Sequence, residues 1–168
     1  MSDVRALLLT GVFGTGKSAV AEEIAELLED RGVPFAAIDL DWLGWSNVPG
    51  AGHDGHAILA RNLGAVAGTY RDAGVQRLVL ARTVENAAIL EAIRSAIAVP
   101  LTVVRLTAPL TTIEERLRGS PTSGRADDLE QAREMLAAGT GVGLEDAVIE
   151  NAGPIRETAL RVLDVARW

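Results

Sequence analysis

The sequence predicts an α/β protein built on a parallel sheet with helices on both faces. Three observations predict it. Apolar runs of strand length alternate with segments of helical periodicity along the 168 residues. Those runs are almost continuously apolar, as strands buried on both faces require, and a glycine-rich turn joins the first run to the first helix. Composition agrees: 48% hydrophobic and 23% charged residues make a globular balance, unlike disordered, collagen-like or coiled-coil chains. The length suits one ordinary domain and no linker divides it, so residues 1–168 are expected to form a single unit.

Val4–Thr10 is too short and apolar for a stable helix and ends at Gly11, so it reads as the first strand. From Lys17 to Arg31, Val20, Ile24, Leu27 and Leu28 recur at helical spacing, with Gly32 and Pro34 as the stop. Phe35–Leu40 gives a second strand running into acids, Ala57–Ala73 a helix stopped by Gly74, and Val75–Ala81 a third strand. Glu85–Ala98 is helical, and Leu101–Thr107, flanked by Pro100 and Pro109, is a β-branched strand. Thr112–Arg118 is a short helix, and Asp127–Ala138 is a helix whose first-turn acids suit its dipole. Ala147–Glu150 makes a short last strand, and Ile155–Ala166 a helix after Pro154. Two irregular stretches interrupt this scaffold, Gly44–Gly55 and Gly119–Arg125.

A net charge of −7 makes nucleic acid and anionic membranes poor default partners. No run reaches the roughly 18 apolar residues of a membrane span, and the N-terminal apolar run is too short for a signal segment. Zero cysteines exclude disulfides, thiolate zinc sites and thiol nucleophiles. A cytoplasmic monomer or homodimer is expected. Of the sixteen basic residues only Lys17 is a lysine; the rest are arginine.

That lysine falls in Gly11-Val12-Phe13-Gly14-Thr15-Gly16-Lys17-Ser18, which matches the Walker A pattern. Glycines let consecutive backbone N–H groups approach phosphates, and the following helix points its N-terminus at the same anion. Gly11, Gly14, Thr15, Gly16, Lys17, Ser18 and Ala19 are therefore the expected nucleotide seat, with Lys17 on the β- and γ-phosphates and the Ser18 hydroxyl on Mg²⁺. With one lysine in the chain, an Asn-Lys-x-Asp guanine loop cannot exist. The third strand ends at Arg82, where motor ATPases and helicases carry an acid. The acids instead lie in Ile38-Asp39-Leu40-Asp41; if both sit on the strand, residues two apart face the same side, toward the phosphate loop.

With these features the chain resembles the small P-loop kinases that phosphorylate metabolites, of the adenylylsulfate, shikimate and gluconate kinase kinds. The resemblance runs along the whole chain. It implies a three-layer P-loop NTPase fold with a five-stranded parallel sheet in the order 2-3-1-4-5 and a short lid at about residues 119–126. It also implies roles: Asp39 holding Mg²⁺ through water, Asp41 contacting the acceptor hydroxyl as base, and Arg116 stacking on adenine. Arg118 and Arg125 would close onto the transferring phosphates, and Asn151 and Gly153 would flank adenine through backbone. A planar guanidinium suits both stacking and oxyanion binding, while surface ion pairing explains any single arginine equally well. Asn151-Ala152-Gly153-Pro154 also reads as a turn and helix start.

On the acceptor side, Arg82 either binds an anionic group or pairs with Asp39 or Asp41. Trp42 and Trp45 form a stacking wall or belong to the core. Arg61-Asn62-Leu63-Gly64 resembles a run of adenylylsulfate kinases, which makes Arg61 a further acceptor candidate, but that family's longer insertion and its basic Lys-Gly-Leu-Tyr lid are absent. His53 and His56 read as a surface pair in preference to a metal site. The expected activity is Mg²⁺- and ATP-dependent transfer of the γ-phosphoryl group to a hydroxyl of a small acceptor. The alternative is an ATP-binding module or slow ATPase without a dedicated acceptor.

Overall fold

The computed structural model describes residues 4–46, 55–118 and 127–168. In chain order the elements are β1 (Arg5–Thr10), α1 (Lys17–Asp30), β2 (Phe35–Asp39), α2 (Leu40–Gly44), α3 (Gly55–Asp72), β3 (Arg77–Ala81) and α4 (Ala87–Ile97). They continue with β4 (Leu101–Thr107), α5 (Leu110–Arg118), α6 (Asp128–Ala138), β5 (Ala147–Glu150) and α7 (Ile155–Ala166). The five strands form one all-parallel sheet in the order β2-β3-β1-β4-β5, as the resemblance implied.

The period-2 geometry of β1 sorts its side chains between two cores. Ala6 and Leu8 face one side with Leu78 and Leu80 of β3, where Leu59 and Leu63 of α3 and Ile93 and Ile97 of α4 cover them. Leu7 and Leu9 face the other side with Val79, beneath Ile24 and Leu28 of α1 and Val162 and Leu163 of α7. Burial of each such leucine contributes about 2 kcal/mol, and both faces being covered is why the strands read as unbroken apolar runs. A third cluster of Val12, Ile113 and Ala132 packs α5 and α6 under the glycine loop. The order places β1 between β3 and β4, so the chain leaving β1 enters the crevice at the carboxyl edge, where α/β sheets bind ligands.

Most expected elements are present within a residue or two, and one element is new. Helix α2 begins where β2 was expected to run on, because the Asp39 carboxylate caps it: Oδ1 accepts the Asp41 N–H at 3.0 Å. Similarly, α4 starts at Ala87 after Asn86, whose side chain accepts the Ile89 N–H at 3.1 Å. The expected lid, with Arg125, and most of the Gly44–Gly55 stretch, with His53, lie outside the described residues; His56 is exposed on α3. No helix among the described residues is long and apolar enough to cross a membrane.

Candidate active site

The loop between β1 and α1 is shaped by positions that only glycine satisfies. Gly11 has φ +138°, and a Cβ there would run into the carbonyl oxygen of Leu106. Gly16 has φ +90°, and a Cβ would stand 2.5 Å from Nδ2 of Asn151. Side chains are thus excluded from both ends of the loop, which leaves its backbone to face the crevice. At the start of α1 no side chain caps the helix and no acid occupies the first turn. Its first N–H groups have no intrahelical acceptor, and Lys17 adds a positive charge to the positive end of the helix dipole. That arrangement is unfavourable without an anion, and it fits a polyphosphate.

The Lys17 ammonium curls over the loop, its Nζ donating to the carbonyls of Gly11 and Val12 at 3.1 Å each, with the Phe13 ring centroid 5.7 Å away. Burial pushes its pKa down to about 8, against the upward pulls of Asp41, Asp39 and Asp128. The Ser18 hydroxyl donates to Oδ2 of Asp39 at 3.3 Å. Asp39 therefore uses one oxygen on the phosphate-loop helix and the other to start α2. Hydroxyl and carboxylate oxygens are the donors that Mg²⁺ prefers, and at phosphate sites one or two protein ligands suffice. Among the described residues no group of three or more His, Asp or Glu forms a free-standing metal cage.

Asp41 is beside Asp39, though not by strand alternation as expected: it sits in the first turn of α2, its N–H bonded to the cap. Arg82 pairs with it, Nη1 to Oδ1 at 2.9 Å. Burial raises the Asp41 carboxyl above its ordinary range; Arg82 opposes the rise, Asp39 adds to it and Lys17 opposes it. Trp42 and Trp45 are 70% and 77% exposed, so neither is core, and their ring centroids lie 5.2 Å apart. Phe13, Lys17, Ser18, Asp39, Asp41, both tryptophans, Arg116, Leu117 and Asp128 line a cleft of about 360 Å³, within the range for small-molecule sites. Asp128 came from no motif; its only sequence signal was an acid at a helix start.

The remaining candidates divide. Arg116 reaches the cleft and donates to the carbonyls of Gly14 at 3.2 Å and Asn151 at 2.9 Å. Asn151 is buried and its side chain is a brace: Nδ2 donates to the Thr15 carbonyl, and Oδ1 accepts from the Thr158 hydroxyl, both at 2.9 Å. Neither Asn151 nor Gly153 is among the residues that line the cleft. Arg61 is exposed on α3 and is not among the residues that line the cleft. Arg118 is 70% exposed and pairs with Glu114 at 3.5 Å, the surface alternative.

No protein-family model and no curated protein sequence matches the chain. Solved structures do. A sugar kinase from Janibacter sp. HTCC2649 superposes with a TM-score of 0.69 at 18% identity, covering 98% of this chain and 95% of that one. A gluconokinase from Sinorhizobium meliloti 1021 gives 0.61 at 21% identity, covering 99% and 94%. The Mycobacterium tuberculosis APS kinase in complex with AMPPNP and APS gives 0.62 at 18% identity over the full length of both chains. From the glycine loop to the last helix, the chain has the fold of the P-loop small-molecule kinases.

Proposed function

We propose that the protein is an ATP- and Mg²⁺-dependent phosphotransferase that moves the γ-phosphoryl group to a hydroxyl of a small molecule. The observation that carries this reading is the juxtaposition, in one cleft, of an uncapped helix N-terminus bearing Lys17 with the Asp39–Asp41 pair. The nucleotide-bound APS kinase with the same fold supports the choice of ATP.

The loop amides of Gly14–Ala19 and the Lys17 ammonium would hold the β- and γ-phosphates, which requires Lys17 to exchange its carbonyl partners for phosphate oxygens. Ser18 and Asp39 would hold the magnesium ion, which when bound neutralises charge on the phosphate oxygens. The guanidinium of Arg116 is fixed in its plane by two carbonyls, so its face is the surface it offers an adenine ring, beside the backbone of Asn151 and Gly153.

Asp41 orients the acceptor hydroxyl and takes its proton. The hydroxyl oxygen bonds to the γ-phosphorus, the bond from that phosphorus to the β,γ-bridging oxygen breaks, and ADP leaves with the electron pair. Charge spread over the transferring oxygens calls for cations, a role for Arg125 and for Arg118, whose exposed pair with Glu114 is weak and readily exchanged. The test is acceptor-dependent ADP release in the presence of Mg-ATP. Release that rises with a hydroxyl-bearing acceptor supports transfer, whereas a rate indifferent to every acceptor supports a simple ATPase.

A further inference from the structure

Resting on the phosphotransferase reading, we infer that the acceptor is a non-anionic polyhydroxyl ring with an apolar face, a neutral or amine-bearing sugar-like molecule, in preference to a carboxylate, sulfate or phosphate ester. The charge on the two ends of the cleft points this way. Among the described residues its lining cations are Lys17 and Arg116, and both belong to the nucleotide end: the first is anchored on the Gly11 and Val12 carbonyls, the second on Gly14 and Asn151. The acceptor end carries Asp41, next to the Asp39 assigned to magnesium, with Asp128 also on the cleft wall.

Arg82 is the described cation paired with an acid of that end. It bonds Asp41 at 2.9 Å, its side chain is largely buried, and it is not among the residues that line the cleft. Drawing the guanidinium toward an anionic acceptor would strip Asp41 of its ion pair and leave the carboxylate facing Asp39 unbalanced. An anion placed there would also meet the γ-phosphate and the Asp41 carboxylate, a like-charge juxtaposition that disfavours binding.

The aromatic wall supplies the other half. Trp42 and Trp45 leave most of their surface in water while lining the cleft beside Asp41, and their planes meet at 34° with centroids 5.2 Å apart. Exposed indole faces at a cleft mouth are the surface on which the C–H face of a sugar ring packs, its hydroxyls projecting edgewise toward polar partners. One edge hydroxyl of a ring so seated would be the group offered to Asp41.

The experiment compares matched acceptors: a neutral hexose glycoside, its amino-sugar counterpart and its uronate, each assayed by ADP release at saturating Mg-ATP. The expected result is kcat/KM for the neutral or amino member at least about tenfold above the uronate. Trp42→Ala and Trp45→Ala should each raise acceptor KM by about tenfold, with KM for ATP within about twofold of the parent. A second readout needs no turnover. In a Trp168→Phe background the two cleft tryptophans are the remaining indoles, and their emission should respond to the neutral member and not to the uronate. Equal or better use of the uronate, or an acceptor KM untouched by both tryptophan substitutions, overturns the inference while leaving the phosphotransferase reading standing. Failure of Mg-ATP to bind at all defeats that reading and this inference with it.

Discussion

Arg82, just past the end of β3, holds Oδ1 of Asp41 at 2.9 Å, while the Asp41 N–H is fixed by Asp39 at 3.0 Å. The carboxylate is thereby oriented from two sides, and its second oxygen has no hydrogen-bond partner among the described residues. A group so placed suits proton transfer from an acceptor. Asp41→Asn keeps the shape and removes the base. It should lower kcat by roughly 10²- to 10⁴-fold with the ATP dissociation constant within about threefold. Steady-state kinetics beside a nucleotide titration check this, and unimpaired transfer would remove Asp41 from its role.

The same pair predicts what Arg82 does. Its charge lowers the Asp41 pKa against the upward push of burial, so Arg82→Leu should raise that pKa further. The acidic limb of the kcat/KM profile should then move to higher pH, because more of the carboxylate is protonated at a given pH. A profile that keeps its midpoint while the rate falls would instead assign Arg82 a purely structural part.

Lys17, at about 8, should make nucleotide binding pH-dependent. Below that value the free protein carries the ammonium; as pH rises through it the charge is lost and ATP affinity falls. Phosphates raise the lysine pKa, so binding above pH 8 should take up a proton, measurable by calorimetry in buffers of different ionisation enthalpy. The sign for folding is opposite. Between about 8 and the unfolded value of 10.5 the unfolded chain binds more protons, so the nucleotide-free protein gains stability as pH rises through that window. As the chain's one lysine, Lys17 should also dominate side-chain amine labelling, and Mg-ATP should protect it.

Gly16 and Asn151 form a second coupled pair. Gly16→Ala meets both a φ of +90° and Nδ2 of Asn151 at 2.5 Å. It should weaken ATP binding by about 100-fold, and adding Asn151→Ala should recover part of this by removing the clash but not the backbone strain. Asn151→Ala alone leaves the buried Thr158 hydroxyl and Thr15 carbonyl without their partner, a loss of about 2–4 kcal/mol readable by denaturant titration. Full additivity in the double variant would contradict the coupling.

How far the chain could be read in advance depends on where its interactions lie. The strands and α1 were legible because burial on two faces and helical spacing are local patterns, and Lys17, Ser18 and Asp39 because they sit beside glycine or a strand end. Helix α2 was not: it has five residues, and what starts it is a cap by Asp39 that competes with one more residue of strand. The grouping of Asp39 with Asp41 was anticipated for the wrong geometric reason. The Asn151 brace was illegible because it joins residues 136 apart, and nothing in Asn-Ala-Gly-Pro tells a brace from a turn. From its position Arg82 read either as a site for an anionic group of the acceptor or as a partner of Asp39 or Asp41, and the contact the structure shows is the one with Asp41.

The fate of the γ-phosphoryl group of ATP tests the central claim most directly. With γ-labelled Mg-ATP and a panel of neutral and amino sugars, label should pass to an organic phosphomonoester in amounts matching the ADP formed, and Asp41→Asn should lose this transfer. Label recovered only as inorganic phosphate, at a rate that no acceptor changes, would contradict it.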